Sequence, residues 1–255
     1  MSWELPSPKK MQHATWYIQH WTNSERAEVS ADGSVLKSTC VPKKQGMESG
    51  SGFFARPAPH LPALQASLSY EVYIPDNFTW VRGGKFGFGL GIGKKDADQV
   101  ASGGDWMQDA GSLRTMWRDD GQVIAYVYLP LEGKSRDAVL RAQTDAVQRA
   151  SEGSIGKDTG MNVWFKIPEQ QQLKLEKGAW NTVALKVQLN TPGQTDGILS
   201  LTVNGKTKTL NSIKFRKSRD IVLNGVLFHT FFGGSTLEWA CKTPQTLSFR
   251  NVVVS

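Results

Sequence analysis

Thr182-Val183-Ala184-Leu185-Lys186-Val187-Gln188-Leu189 alternates without a break, Val183, Leu185, Val187 and Leu189 on one side, Thr182, Ala184, Lys186 and Gln188 on the other. Successive side chains leave a pleated backbone on opposite faces, so this period of two marks a strand with one buried face. Residues 67–74 alternate in the same way through Leu68, Tyr70, Val72 and Ile74. Leu199, Leu201 and Val203 do so again, and Asn204-Gly205 then supplies a hairpin turn of the type I′ kind. Further strands are expected at residues 112–118, 122–129, 222–232 and 246–254, with Asp119-Asp120-Gly121 turning the chain between the first two. Many half-buried strands joined by short turns predict an all-β fold, a sandwich or jelly roll.

One stretch departs from this pattern. Residues 135–150 are rich in Ala, Arg, Gln and Asp, hold no Gly or Pro, and read as a short helix, with a Gly- and Ser-containing loop following through Gly160. Residues 132–160 are therefore read as an insertion between strands of a single domain spanning residues 1–255. Residues 1–25, with Trp3, Trp16 and Trp21, read as an edge strand or a packed arm.

Composition narrows the function classes only partly. At 39% hydrophobic and 21% charged, the 255 residues cannot be a highly charged disordered chain. A formal charge of +7 favours an anionic partner (nucleic acid, acidic glycan or membrane surface) about as much as it favours a simple solubility surplus. Cys40 and Cys241 are too few for a disulfide framework and are expected as buried free thiols. With four scattered histidines (His13, His20, His60, His229), they do not suggest a metal site. No apolar run reaches membrane-spanning length, and the first residues show no basic-then-apolar leader.

Single motifs mostly fail. The run Gly83-Gly84-Lys85-Phe86-Gly87-Phe88-Gly89-Leu90-Gly91-Ile92-Gly93 lacks the spacing, the Ser or Thr after lysine and the following helix of a phosphate loop; it reads as a bulged strand that something approaches closely. Glu71 is an acidic residue on an expected strand, but no carboxylate pair of the glycosidase kind accompanies it. A serine-hydrolase elbow is missing. Lys214, Arg216, Lys217 and Arg219 read as a solvated basic loop without a nucleic-acid module. What remains is a concentration of polar groups at alternating positions. Ser112 and Arg114 point the same way from one strand, and Tyr126 and Tyr128 share a face of the next. On residue type alone, the tyrosines read more readily as core or interface aromatics.

Taken in order, the segments Leu68-Ser69-Tyr70-Glu71-Val72-Tyr73-Ile74-Pro75, Gly83-Gly84-Lys85-Phe86-Gly87, Ser112-Leu113-Arg114-Thr115-Met116-Trp117-Arg118 and Tyr126-Val127-Tyr128-Leu129-Pro130 resemble polysaccharide lyase family 14, the alginate and glucuronan lyases of chlorella viruses and marine molluscs. Gly178-Ala179-Trp180-Asn181, Leu189-Asn190-Thr191-Pro192-Gly193 and Phe231-Phe232-Gly233-Gly234-Ser235 extend the resemblance from Leu68 to the C-terminus. It implies a β-jelly roll with an open substrate cleft, and it places the family's catalytic lysine on Lys85, its serine and arginine on Ser112 and Arg114, and its tyrosine pair on Tyr126 and Tyr128. The insertion at 132–160 has no counterpart in the family pattern, and the segment between Lys85 and Ser112 does not transfer.

The resemblance implies β-elimination on a uronate polymer. Removing the C5 proton needs a cation on the neighbouring carboxylate, a role for Lys85 with Arg114 orienting it. One tyrosine takes the proton and the same or the other protonates the leaving oxygen; an unperturbed phenol titrates near about 10, so a phenolate base needs positive charge beside it. Ser112 is expected to hold substrate by a hydrogen bond. The implied partner is an acidic extracellular or cell-wall polysaccharide, met by a monomer, with no nucleic acid, membrane, metal or organic cofactor; a viral setting, even a virion, fits the basic charge. A non-catalytic acidic-glycan-binding module is the alternative, followed by a glycoside hydrolase and a nucleic-acid binder.

Overall fold

The alternating stretch at 182–189 belongs to β12 (Ala179–Gln188), which pairs on one side with β5 (Gln65–Ile74) and on the other with β13 (Gly197–Val203). The computed structural model describes residues 17–57, 60–97, 100–101, 107, 109–129 and 173–255, and the backbone path of 154–157 and 162–166. Among these the remaining strands are β1 (Ile18–Thr22), β2 (Ala27–Val29), β3 (Leu36–Cys40), β4 (Ser51–Ala55), β6 (Gly84–Lys85), β7 (Phe88–Lys94), β8 (Gly111–Trp117), β9 (Val123–Tyr128), β10 (Ser154–Lys157), β11 (Asn162–Lys166), β14 (Lys206–Ile213), β15 (Ile221–Phe232) and β16 (Gln245–Val254).

They form two antiparallel sheets packed as a jelly-roll sandwich. The smaller runs β14-β13-β12-β5-β16-β3-β2; the larger runs β1-β4-β15-β6-β8-β9-β11-β10, with β7 lying between β15 and β8 beyond β6. Both expected turns take the backbone their residues favour. Asn204 and Gly205 both have positive φ (49° and 77°), as a type I′ hairpin requires. Asp120 and Gly121 do the same between β8 and β9.

Aromatic rings stitch the sheets together. Phe88 on β7 and Phe228 on β15 have centroids 5.0 Å apart, and Phe228 lies 5.1 Å from Phe249 on β16. Tyr70 on β5 lies 5.4 Å from Phe88. The glycine-rich run now has a physical reading. Phe88, Leu90 and Ile92 point into the core, while the glycines between them carry no side chain toward the opposite face. A Cβ at Gly91 would stand 2.8 Å from Asn224 Oδ1 and from a methyl of Val100. The close approach expected of this strand is made there by the protein's own side chains.

The expected helix at 135–150, like residues 1–16, lies outside the described residues. The loop expected through Gly160 is corrected in part: Ser154–Lys157 is strand β10, which pairs with β11, and β11 pairs with β9. Residues 18–22 of the expected arm are edge strand β1. Cys40 and Cys241 are buried free thiols. The basic loop is not uniformly solvated. Arg216 is buried and donates from Nε to the Asn190 carbonyl (2.7 Å) and from Nη1 to the Ile221 carbonyl (3.0 Å).

Candidate active site

Alternation along β8 splits its residues cleanly. Leu113, Thr115 and Trp117 face the core; Ser112, Arg114 and Met116 face outward. On β9, Tyr126 and Tyr128 take the outward positions, Tyr126 opposite Arg114 and Tyr128 opposite Ser112. Lys85 on β6 stands opposite Met116 on one side and Phe231 of β15 on the other. Five residues separated in sequence thus meet on one face of the larger sheet.

Their geometry is that of cations laid against phenols. Lys85 Nζ lies 4.3 Å from the centre of the Tyr126 ring and 5.1 Å from that of Phe231. The Arg114 guanidinium carbon is 5.5 Å from the Tyr128 ring, and the two tyrosine rings are 5.7 Å apart, nearly edge to face. Lys85 is 8% exposed and Arg114 5%, values at which a charge is expected to have a partner. Arg114 makes no ion pair among the described residues, and its Nε is buried without a hydrogen-bond partner there. Burial pulls its pKa down to about 10, against the opposing pull of Tyr128 and Tyr126. It therefore stays charged at neutral pH and is available to an anion.

Ser112 stands on the expected face beside Arg114, with its hydroxyl engaged inside the protein. Its hydroxyl is buried and donates 2.7 Å to the Ala101 carbonyl, which also accepts from Arg114 Nη2 at 3.1 Å. Ser112 and Arg114 together fix the chain that crosses the face at Ala101. Beyond it, Asp109 is gripped by Lys94 (3.5 Å) and Lys217 (3.3 Å).

Two features were not visible in the sequence. The first is His229 on β15, whose backbone N–H bonds the Gly87 carbonyl and whose ring packs over Gly52 of β4. With Lys85, Gly87, Gly89, Arg114 and Leu227 it lines a small hollow. Burial holds its pKa well below 6.5, reinforced by Arg114 and Lys85, so the imidazole is neutral. The second lies beneath the site. Thr115 Oγ1 donates to the Phe86 carbonyl (2.8 Å), and the Tyr70 hydroxyl contacts both that carbonyl (3.2 Å) and Thr115 (2.9 Å). This core-side network holds the bulge at Phe86-Gly87, where Gly87 has φ +72° and a Cβ would sit 2.5 Å from the Tyr70 ring. The bulge sets how Lys85 is presented. Glu71 is elsewhere: on the smaller sheet it accepts from Arg250 Nε (2.8 Å) and Asn251 (2.7 Å).

Two cations set against two tyrosines on one face can hold an anion and move a proton, and the two-sheet jelly roll that carries them is a fold shared with solved polysaccharide lyases. The chain belongs to the polysaccharide lyase 14 family, whose model matches residues 33–252. It is similar to the Exolysin of Paramecium bursaria Chlorella virus 1, 26% identical over 203 residues, or 74% of this chain. That match covers 29% of the viral protein, so the chain spans under a third of this curated relative. Among solved structures it is similar to an alginate lyase from Chlorella virus, with TM-score 0.72 and 25% identity over 94% of this chain and 93% of that one. It is also similar to the marine alginate lyase of Aplysia kurodai, with TM-score 0.79 and 23% identity over 100% and 99% of the two chains.

Proposed function

We propose that this protein cleaves a uronate-containing acidic polysaccharide by β-elimination, and that Lys85, Ser112, Arg114, Tyr126 and Tyr128 make up its active site. The observation that carries the reading is the pairing of the Lys85 ammonium with Tyr126 and of the Arg114 guanidinium with Tyr128 on one face. The viral relative of known structure, an alginate lyase, supports a uronate polymer as substrate.

In this scheme Lys85 and Arg114 take the uronate carboxylate, with the guanidinium offering a planar edge to its two oxygens. Neutralising that carboxylate lets charge develop on it as the C5 proton leaves. One of Tyr126 and Tyr128, as phenolate beside the cations, accepts the proton. The C5–H electrons form the C4–C5 double bond, the C4–O4 bond breaks, and the leaving oxygen is protonated by the same or the other tyrosine. Ser112 serves by holding Ala101 and, through it, Arg114. His229, kept neutral, adds a hydrogen-bonding group without a third charge.

The test is ultraviolet absorbance of the protein mixed separately with polyglucuronate, polymannuronate and polyguluronate. Rising absorbance from unsaturated uronate ends is expected, and the fastest polymer identifies the substrate. Binding without any rise would replace the lyase with a glycan-binding module.

A further inference from the structure

Buried polar atoms without partners are few in folded proteins, because each forfeits its hydrogen bonds to water. Here they are not scattered. Of the eight side chains holding such atoms among the described residues, five lie on the outer face of the larger sheet: Arg114, His229, Asn224, Arg56 and Gln19. Register places them in a band across the strands. Arg114 stands on β8 and His229 on β15 opposite Gly52 of β4. Asn224 sits at the bulge of β15, Arg56 directly follows β4, and Gln19 of β1 pairs with Phe54 of β4. Only the first belongs to the cluster of cations and tyrosines.

Arg56 is the distinctive member. Its unpartnered atoms are Nε and Nη2, the two that form one edge of the guanidinium and can grip both oxygens of a carboxylate at once. Its guanidinium carbon lies 5.9 Å from the Phe54 ring, and Phe54 lies over Gly225, where a Cβ would come within 2.1 Å of it. Asn224 closes the same spot. Its Nδ2 is engaged by the Lys94 (3.2 Å) and Ala97 (2.9 Å) carbonyls, and its Oδ1 is buried near Val100, so it belongs to the floor of this region. A guanidinium edge that can donate to both oxygens of a carboxylate, set beside an aromatic ring, matches a uronate residue. From β8 to β4 is three strand spacings, about 14 Å. This distance suits another sugar of the same chain and excludes the one being cleaved.

We propose that Arg56, with Phe54 beside it, forms a distal uronate-binding subsite, so that the polysaccharide lies across the strands from Tyr126 toward β4. This inference rests on the lyase reading for the identity of the glycan. Arg56→Ala and Arg56→Lys should each raise KM for the uronate polymer about tenfold, the equivalent of one charge-assisted hydrogen bond, with kcat within about twofold. KM for a uronate trisaccharide should be unchanged, because that substrate can occupy the reactive end alone. Arg56→Lys keeps the charge and loses the edge, and so provides a readout should Arg56→Ala fold poorly. Equal losses on polymer and trisaccharide, or none on the polymer, would overturn the subsite. Calorimetric binding of the polymer to Tyr126→Phe, with and without Arg56→Lys, separates the two readings. Weaker binding in the double variant supports the subsite even if the wild type turns nothing over, and equal binding refutes it.

Discussion

The two faces of β8 carry polar groups of similar kinds and treat them in opposite ways. On the core face, Thr115, the Tyr70 hydroxyl and the Phe86 carbonyl satisfy one another within 3.2 Å. On the outer face, Arg114 Nε has no partner among the described residues, and the same holds for His229 Nδ1 two strands away. The core network has no use for a ligand, since a closed set of hydrogen bonds in a dry interior serves only the fold. Its tyrosine is also unsuited to proton transfer, because burial pushes the Tyr70 phenol far up from its ordinary value. The outer tyrosines instead stand beside fixed cations. One residue type thus serves packing on one face and is available for chemistry on the other, and position alone separates them.

Exchanging hydroxyl for hydrogen on each face separates the two roles most directly. Tyr126→Phe and Tyr128→Phe on the outer face should lower turnover by about 10²–10⁴, the usual worth of general acid–base catalysis, with little change in unfolding midpoint. Lys85→Ala should fall in the same range through loss of carboxylate neutralisation. Initial rates on the preferred polymer, read beside urea unfolding curves, check this. Retained turnover in both tyrosine variants would mean that the phenols only pack.

Tyr70→Phe on the core face should do the reverse. Thr115 and the Phe86 carbonyl keep each other, so the loss is one buried hydroxyl interaction, about 1–1.5 kcal/mol of stability. Thr115→Val removes the hub and should cost more, about 1–3 kcal/mol, by leaving the Phe86 carbonyl and the Tyr70 hydroxyl to each other alone. Activity should fall by less than about tenfold in either, as the Phe86-Gly87 bulge loosens beneath Lys85. A Tyr70→Phe variant as stable as the wild type but inactive would place Tyr70 in the chemistry and erase the distinction between the faces.

Much of this arrangement was legible in the sequence because period-two alternation is a local signal. β5, β12, β8, β9 and β15 fall within a few residues of their expected bounds, and the faces of Ser112, Arg114, Tyr126 and Tyr128 follow from parity alone. Ser154–Lys157 was not legible as a strand, since Ser-Ile-Gly-Lys has little strand character of its own and pairs only because β11 extends the sheet beyond β9. His229 was visible as part of a strand, but its proximity to Lys85 depends on register between segments far apart in the chain. Ser112 illustrates the same limit. Parity gives its face, while the carbonyl that meets its hydroxyl comes from a crossing segment without a periodic pattern. Arg56 stood out by no motif at all, because an arginine just past a strand ordinarily reads as solvated.

The smallest expected effect is a dependence of stability on pH through His229. His229 is neutral because burial, Arg114 and Lys85 all oppose a proton on it. In the unfolded chain the same imidazole titrates near its ordinary value of about 6.5. Below that pH the unfolded state binds a proton that the folded state refuses, so stability falls as the solution is acidified, by at most about 1.4 kcal/mol per pH unit. The loss stops once the pH reaches the depressed folded value, and above about 6.5 the group contributes no slope. His229→Gln keeps a polar side chain and does not titrate, so its stability should decline less steeply than that of the wild type between about pH 6.5 and 5. Urea unfolding of both proteins across that window reads the difference directly, and carboxylates shared by the two cancel. Parallel curves would mean that the imidazole takes up its proton freely beside Lys85 and Arg114. The outer face would then be wet enough to screen its own cations, and the unpartnered atoms along it would be hydrated, with no need of a glycan to satisfy them.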